Sequence, residues 1–80
     1  MDGSLVASLL AHRPFRRFVI VTLSGHEYEV KSPEHYRVIR DGDVLFWTED
    51  GTGDFLDLKM VERIRMPDHF GFAELDQLRT

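Results

Sequence analysis

The sequence contains no cysteine, so neither disulfides nor thiolate metal ligands hold the fold together. It also lacks any apolar run near the roughly 20 residues that a membrane helix requires. The start, Met1-Asp2-Gly3-Ser4, is acidic where a secretion signal is basic. A soluble, cytoplasmic protein of bacterial type is the expectation, with no membrane partner. Basic charge is not in excess: Lys and Arg total 10 against 14 Asp and Glu, a formal net charge of −4. Nucleic-acid modules ordinarily show the opposite balance. What the chain does have is 42% hydrophobic and 11% aromatic residues, too many for a disordered segment at so modest a charge.

Eighty residues make one domain, 1–80. So short a chain buries only about 60% of its unfolded surface, and nothing staples this one, so a partner subunit is expected to supplement the core. Leu5, Val6, Leu9 and Leu10 recur with helical spacing and predict a helix over 4–12, capped by Asp2 or Ser4 and stopped by Pro14.

Beyond Pro14 the period changes. Residues 18–24 are β-branched and apolar on both faces, the mark of a central strand. Gly25 supplies a turn, and 26–31 then alternates, with Tyr28 and Val30 on one face and Glu27, Glu29 and Lys31 on the other. Ser32-Pro33-Glu34 breaks this second strand, and 36–39 resumes it. The Asp41-Gly42 turn leads into a third strand at 44–48, apolar on both faces again. A Gly-rich turn at 49–53 precedes a fourth strand at 54–59, and a tight turn at 60–61 precedes a last strand at 62–66. The tail, 67–80, carries Phe70, Phe72, Leu75 and Leu78. The fold class is therefore mainly β: an amino-terminal helix, then a strongly bent five-stranded antiparallel sheet over 17–66 that closes toward a barrel of Sm-like or SH3-like type.

The run Val19-Ile20-Val21-Thr22-Leu23-Ser24-Gly25, its alternating partner strand, and Val61 and Ile64 flanking the final turn resemble the Sm-like fold. That fold is shared by the Sm and Lsm proteins and the bacterial RNA chaperone Hfq. The resemblance covers roughly residues 4–66 and is one of architecture. It implies subunits joined through sheet edges and, in the family, RNA binding. The family's Lys-His pair before the last strand is replaced here by Leu58 and Lys59, and its Asp-x-x-x-Asn-type loop pattern is not recognisable between Tyr36 and Asp43. Arg13-Pro14-Phe15, Leu23-Ser24-Gly25, Tyr28-Glu29-Val30, Ser32-Pro33-Glu34 and Val61-Glu62-Arg63-Ile64 also resemble a group of short bacterial proteins that have no assigned activity. In that group a histidine stands where Ser32 is found here, and a second proline where Arg17 is found.

Catalytic and metal chemistry find little footing. No serine lies in a G-x-S-x-G elbow, no Gly-rich run matches a phosphate loop, and Asp54 and Asp57 point to opposite sides of a strand. His12, His26, His35 and His69 show no ligand spacing, and Asp41, Asp43, Asp50 and Asp54 read as turn formers. A non-enzyme without cofactor, metal or small-molecule substrate is expected.

Two binding surfaces stand out. Arg13, Arg16, Arg17, Lys59, Arg63 and Arg65 are the candidate RNA contacts, a basic rim if several copies assemble. The predicted barrel interior is Val19, Val21, Leu23, Tyr28, Val30, Val38, Val44, Phe46, Leu56, Leu58, Val61 and Ile64. On that choice of faces Phe18, Ile20, Leu45 and Trp47 become surplus. Together with Phe55, Phe70 and Phe72 they form the candidate oligomer interface. A self-associating module follows, as a closed ring by preference and a two-fold dimer otherwise, with a protein-binding adaptor domain as the alternative.

Overall fold

The computed structural model describes residues 3–68 and residue 71. The chain opens with α1, Gly3–Ala11, whose buried face is Val6, Leu9 and Leu10. Leu5, expected on that stripe, is 37% exposed. In nine residues only the i, i+3, i+4 set fits one narrow face, and Leu5 is a quarter turn away from it. Past the helix end, the Arg13 guanidinium donates to the carbonyls of Leu10 at 2.9 Å and His12 at 2.8 Å. It thereby satisfies acceptors that Pro14 prevents the helix from using. The helix start rests on a 3-10 turn at Arg40–Gly42. The approach is close enough that a Cβ on Gly3 would lie 2.7 Å from the Gly42 Cα and 2.7 Å from the Val38 Cγ1. Only glycine fits there.

Six strands follow among the described residues: β1 Phe18–Thr22, β2 Glu27–Val30, β3 Tyr36–Ile39, β4 Val44–Glu49, β5 Thr52–Asp57 and β6 Val61–Arg65. They form two three-stranded antiparallel sheets, ordered β2-β1-β6 and β3-β4-β5. The expectation of one five-stranded sheet closing into a barrel is corrected accordingly. Residues 36–39 do not resume β2; they are a separate strand that pairs with β4. The physical cause is Ser32-Pro33: proline has no N–H to continue a ladder, so the chain leaves the first sheet there and starts the second.

The turns are largely where glycine placed them. Between β4 and β5, Asp50 and Gly51 take φ of 51° and 80°, the mirror-image two-residue turn that matches strand twist. The last turn is a 3-10 turn at Leu58–Met60, beginning two residues before its predicted place, and the Asp57 carboxylate accepts from the Lys59 backbone N–H at 2.9 Å.

The core lies between the two sheets and under the helix. It comprises Val6, Leu9, Leu10, Phe18, Ile20, Val30, Leu45, Trp47, Leu56, Leu58 and Val61, with Phe15, Tyr28, Tyr36, Val38, Ile64 and Met66 packed on it. This exchanges the expected faces of β1 and β4. Phe18, Ile20, Leu45 and Trp47, assigned above to an oligomer interface, are interior. Val19, Val21, Val44 and Phe46, assigned to the interior, belong to the opposite faces, and Leu23 is 60% exposed. Register explains the exchange. Directly paired residues share a face, and Phe18 pairs with Val30 while Ile20 pairs with Tyr28 and Ile64. Likewise Leu45 pairs with Val38 and Leu56.

Candidate interaction surfaces

With the interior settled, each sheet has one outer face, and the two are finished differently. On the first sheet Val19 and Val21 are buried between two charged rows. Val19 sits opposite Glu29 on one side and Arg65 on the other, and Val21 opposite Glu27 and Arg63. The Arg65 guanidinium donates to Glu27 at 2.8 Å, a diagonal that spans the width of β1 and lays aliphatic stems over the valines. At the end of the sheet Arg17 donates to Glu29 at 2.9 Å and, through two nitrogens, to Asp68 at 3.0 and 3.1 Å.

These contacts shift the titration of the partners. Arg65, first by its hydrogen bond and then by its charge, holds the Glu27 carboxyl below the usual carboxylate range. The hydrogen bond from Arg17 does the same for Asp68, and the Arg17 guanidinium is held more firmly charged by Asp68 and then Glu29. Within one chain the candidate RNA contacts are spread over several surfaces. Arg17, Arg63 and Arg65 share a face with three carboxylates, Arg13 is folded onto the helix end, and Lys59 lies in the turn before β6. Arg16 is half-buried, and its charge also acts on Asp68.

The outer face of the second sheet has no such charged lattice at its centre. Phe46 lies opposite Phe55, with ring centroids 4.9 Å apart, and Ile39 and Val44 form the adjacent pair. Gly53 leaves room for the Phe46 ring, since a Cβ there would lie 3.0 Å from its Cε1. Phe55 is 66% exposed on β5, a strand that among the described residues is paired on one side only. Arg37 and Asp57 flank this apolar centre. Of the seven residues expected at an oligomer interface, Phe55 alone is placed on the surface; Phe70 and Phe72 lie outside the described residues. Phe46 was missed, and its signal was the pairing of alternate residues across the Asp50-Gly51 hairpin.

Among the described residues no three His, Cys, Asp or Glu side chains converge on a metal position, and no helix is long and apolar enough to cross a membrane. The chain is thus a small, mainly β domain that presents one charge-covered and one aromatic sheet face. No family model, curated protein or solved structure matches it.

Proposed function

We propose that this chain is a non-enzymatic, self-associating module of Sm-like type that assembles through the second sheet. The observation that carries the reading is Phe55. A phenylalanine 66% exposed beside a second ring, at the border of a charge-flanked patch, marks an interaction surface rather than a solvated one. Its place on an edge strand adds a second contact, because β5 offers unpaired backbone N–H and C=O groups along the same border. Pairing there with a neighbouring copy buries Phe55 and supplies the core area that so short a chain lacks. Closed symmetry is expected, a ring by preference and a two-fold dimer otherwise. Sedimentation at micromolar concentration tests this: masses at multiples of 9.3 kDa support it, and a lone monomer overturns it.

An adaptor domain that docks another protein on the same aromatic pair is the alternative, and a monomer in sedimentation favours it. RNA contacts on the first sheet would have to compete with the carboxylates that already pair with its arginines. Filter binding with U-rich and A-rich RNA at two salt concentrations tests for them. Affinity that falls steeply with salt supports phosphate contacts, and no retention at low salt removes RNA from the reading.

A further inference from the structure

A cleft opens at the margin of the core where β2 leaves for β3. Alternation along β4 puts Leu45, Trp47 and Glu49 on one face. Leu45 and Trp47 are both buried, Trp47 with 7% of its surface exposed behind the half-buried Tyr36 ring, and Glu49 emerges beyond them into solvent. Beside them the cleft, of about 390 Å³, is lined by Glu29, Lys31, His35, Tyr36, Trp47 and Glu49 among others. That size lies near the lower end of small-ligand sites.

The cleft combines an aromatic wall with negative charge. Tyr36 is half-buried and stacks on Trp47 at 5.8 Å with 25° between the rings, and Tyr28 meets Trp47 edge-on at 5.5 Å. The wall is thus fixed before any ligand arrives, which lowers the entropy lost on binding. Glu29 and Glu49 stand at its border. A second cleft of about 400 Å³ shares His35, Thr48 and Glu49 with the first and adds Asp50, so the groove continues along the β4–β5 turn. Glu29 is already paired with Arg17, so among the described lining residues Glu49 and Asp50 stand against one ammonium, that of exposed Lys31. Anions are disfavoured there. The charge of Glu49 is felt at the Tyr36 hydroxyl, which burial and then Glu49 push above its ordinary pKa.

We infer that this groove binds an arginine side chain presented by a basic peptide segment. Guanidinium suits it better than ammonium for two reasons. It is planar and weakly hydrated, so it stacks on a ring face. Its forked donors also match a carboxylate two oxygens at a time, which an ammonium does not. Glu49, on the same strand and face as Trp47, is the carboxylate placed to receive the fork. Glu29 is already engaged by Arg17, which leaves the contact to Glu49.

Trp47 is the only tryptophan of the chain, and its emission reports the groove directly. The probe is an acetyl-Gly-Arg-Gly-amide peptide, with the citrulline peptide as its neutral isostere and the lysine peptide as its ammonium counterpart. A saturable change in Trp47 emission is expected with arginine, several-fold weaker binding with lysine, and none with citrulline. Glu49→Gln is expected to weaken the arginine peptide about tenfold, the loss of one charge-assisted contact. Phe55→Asp, on the outer face of the other strand, is expected to leave the response intact, which separates this site from self-association. Amide chemical-shift mapping is read in parallel. Equal responses to arginine and citrulline, or no saturable shifts at residues 35–36 and 47–49, would overturn the inference.

Discussion

The outer face of β1 and the outer face of β4 are built from the same alternation, yet among the described residues only one is roofed by charged side chains. Val19 and Val21 lie between Glu27 and Glu29 on β2 and Arg63 and Arg65 on β6, and the Arg65–Glu27 diagonal crosses over them. Phe46 lies between Arg37 and Phe55, and Phe55 stays 66% exposed. A central strand that is apolar on both sides is therefore not in itself a sign of assembly. What decides is the row on each flanking strand: long charged side chains can roof an apolar strand, whereas a second aromatic extends the patch.

Substitutions separate the interior from these two faces. Ile20→Ala, at a fully buried position of β1, is expected to cost about 2–5 kcal/mol in urea denaturation. Phe46→Ala, on the half-buried outer face of β4, is expected to cost less than Ile20→Ala despite removing the larger side chain. A reversed order would restore the opposite assignment of faces. Gly3→Ala comes next, at about 1–3 kcal/mol, because its Cβ must displace the backbone of Gly42. The readout is the midpoint of thermal unfolding.

Phe55→Asp sharpens the comparison from the surface side. It is expected to leave single-chain stability within about 0.5 kcal/mol, as surface changes usually do, when unfolding is followed at high dilution. Glu27→Gln is the smallest perturbation. The Glu27–Arg65 pair is about half exposed and screened, so its removal is expected to matter little at neutral pH and less in high salt. The sign with pH is fixed by the lowered carboxyl pKa of Glu27. Its stabilisation is complete above the ordinary carboxylate pKa and is lost as the pH falls through the lowered folded-state value. Acid titration of stability is therefore expected to bring wild type and Glu27→Gln together, and curves that diverge on acidification would contradict the pairing.

Much of the fold is legible from residue pattern. The β1–β2 hairpin is announced by Gly25 and by the strict alternation of Glu27 to Val30, and the β4–β5 hairpin by Asp50-Gly51. The break at Ser32-Pro33 is visible too, but whether a strand resumes or changes sheet depends on a partner far along the chain. The faces of β1 and β4 were illegible for a different reason. A run such as Phe18–Thr22, buried at every position, carries no alternation, so its orientation is imposed by Tyr28 and Val30 across the ladder. Reading β1 through β2, rather than alone, assigns Phe18 and Ile20 to the core. The groove beside Trp47 left a faint trace, an acid two residues after an aromatic, but Tyr36 joins it only through the β3–β4 register. The arginines were visible as a group, while their carboxylate partners, Glu27, Glu29 and Asp68, come from separate segments.

Light scattering on wild type and Phe55→Asp, side by side at micromolar concentration, tests most directly whether the second sheet is completed by another copy. The wild-type mass is expected at a multiple of 9.3 kDa above one, and the variant near 9.3 kDa. Equal masses for the two proteins, whether both monomeric or both assembled, would contradict it.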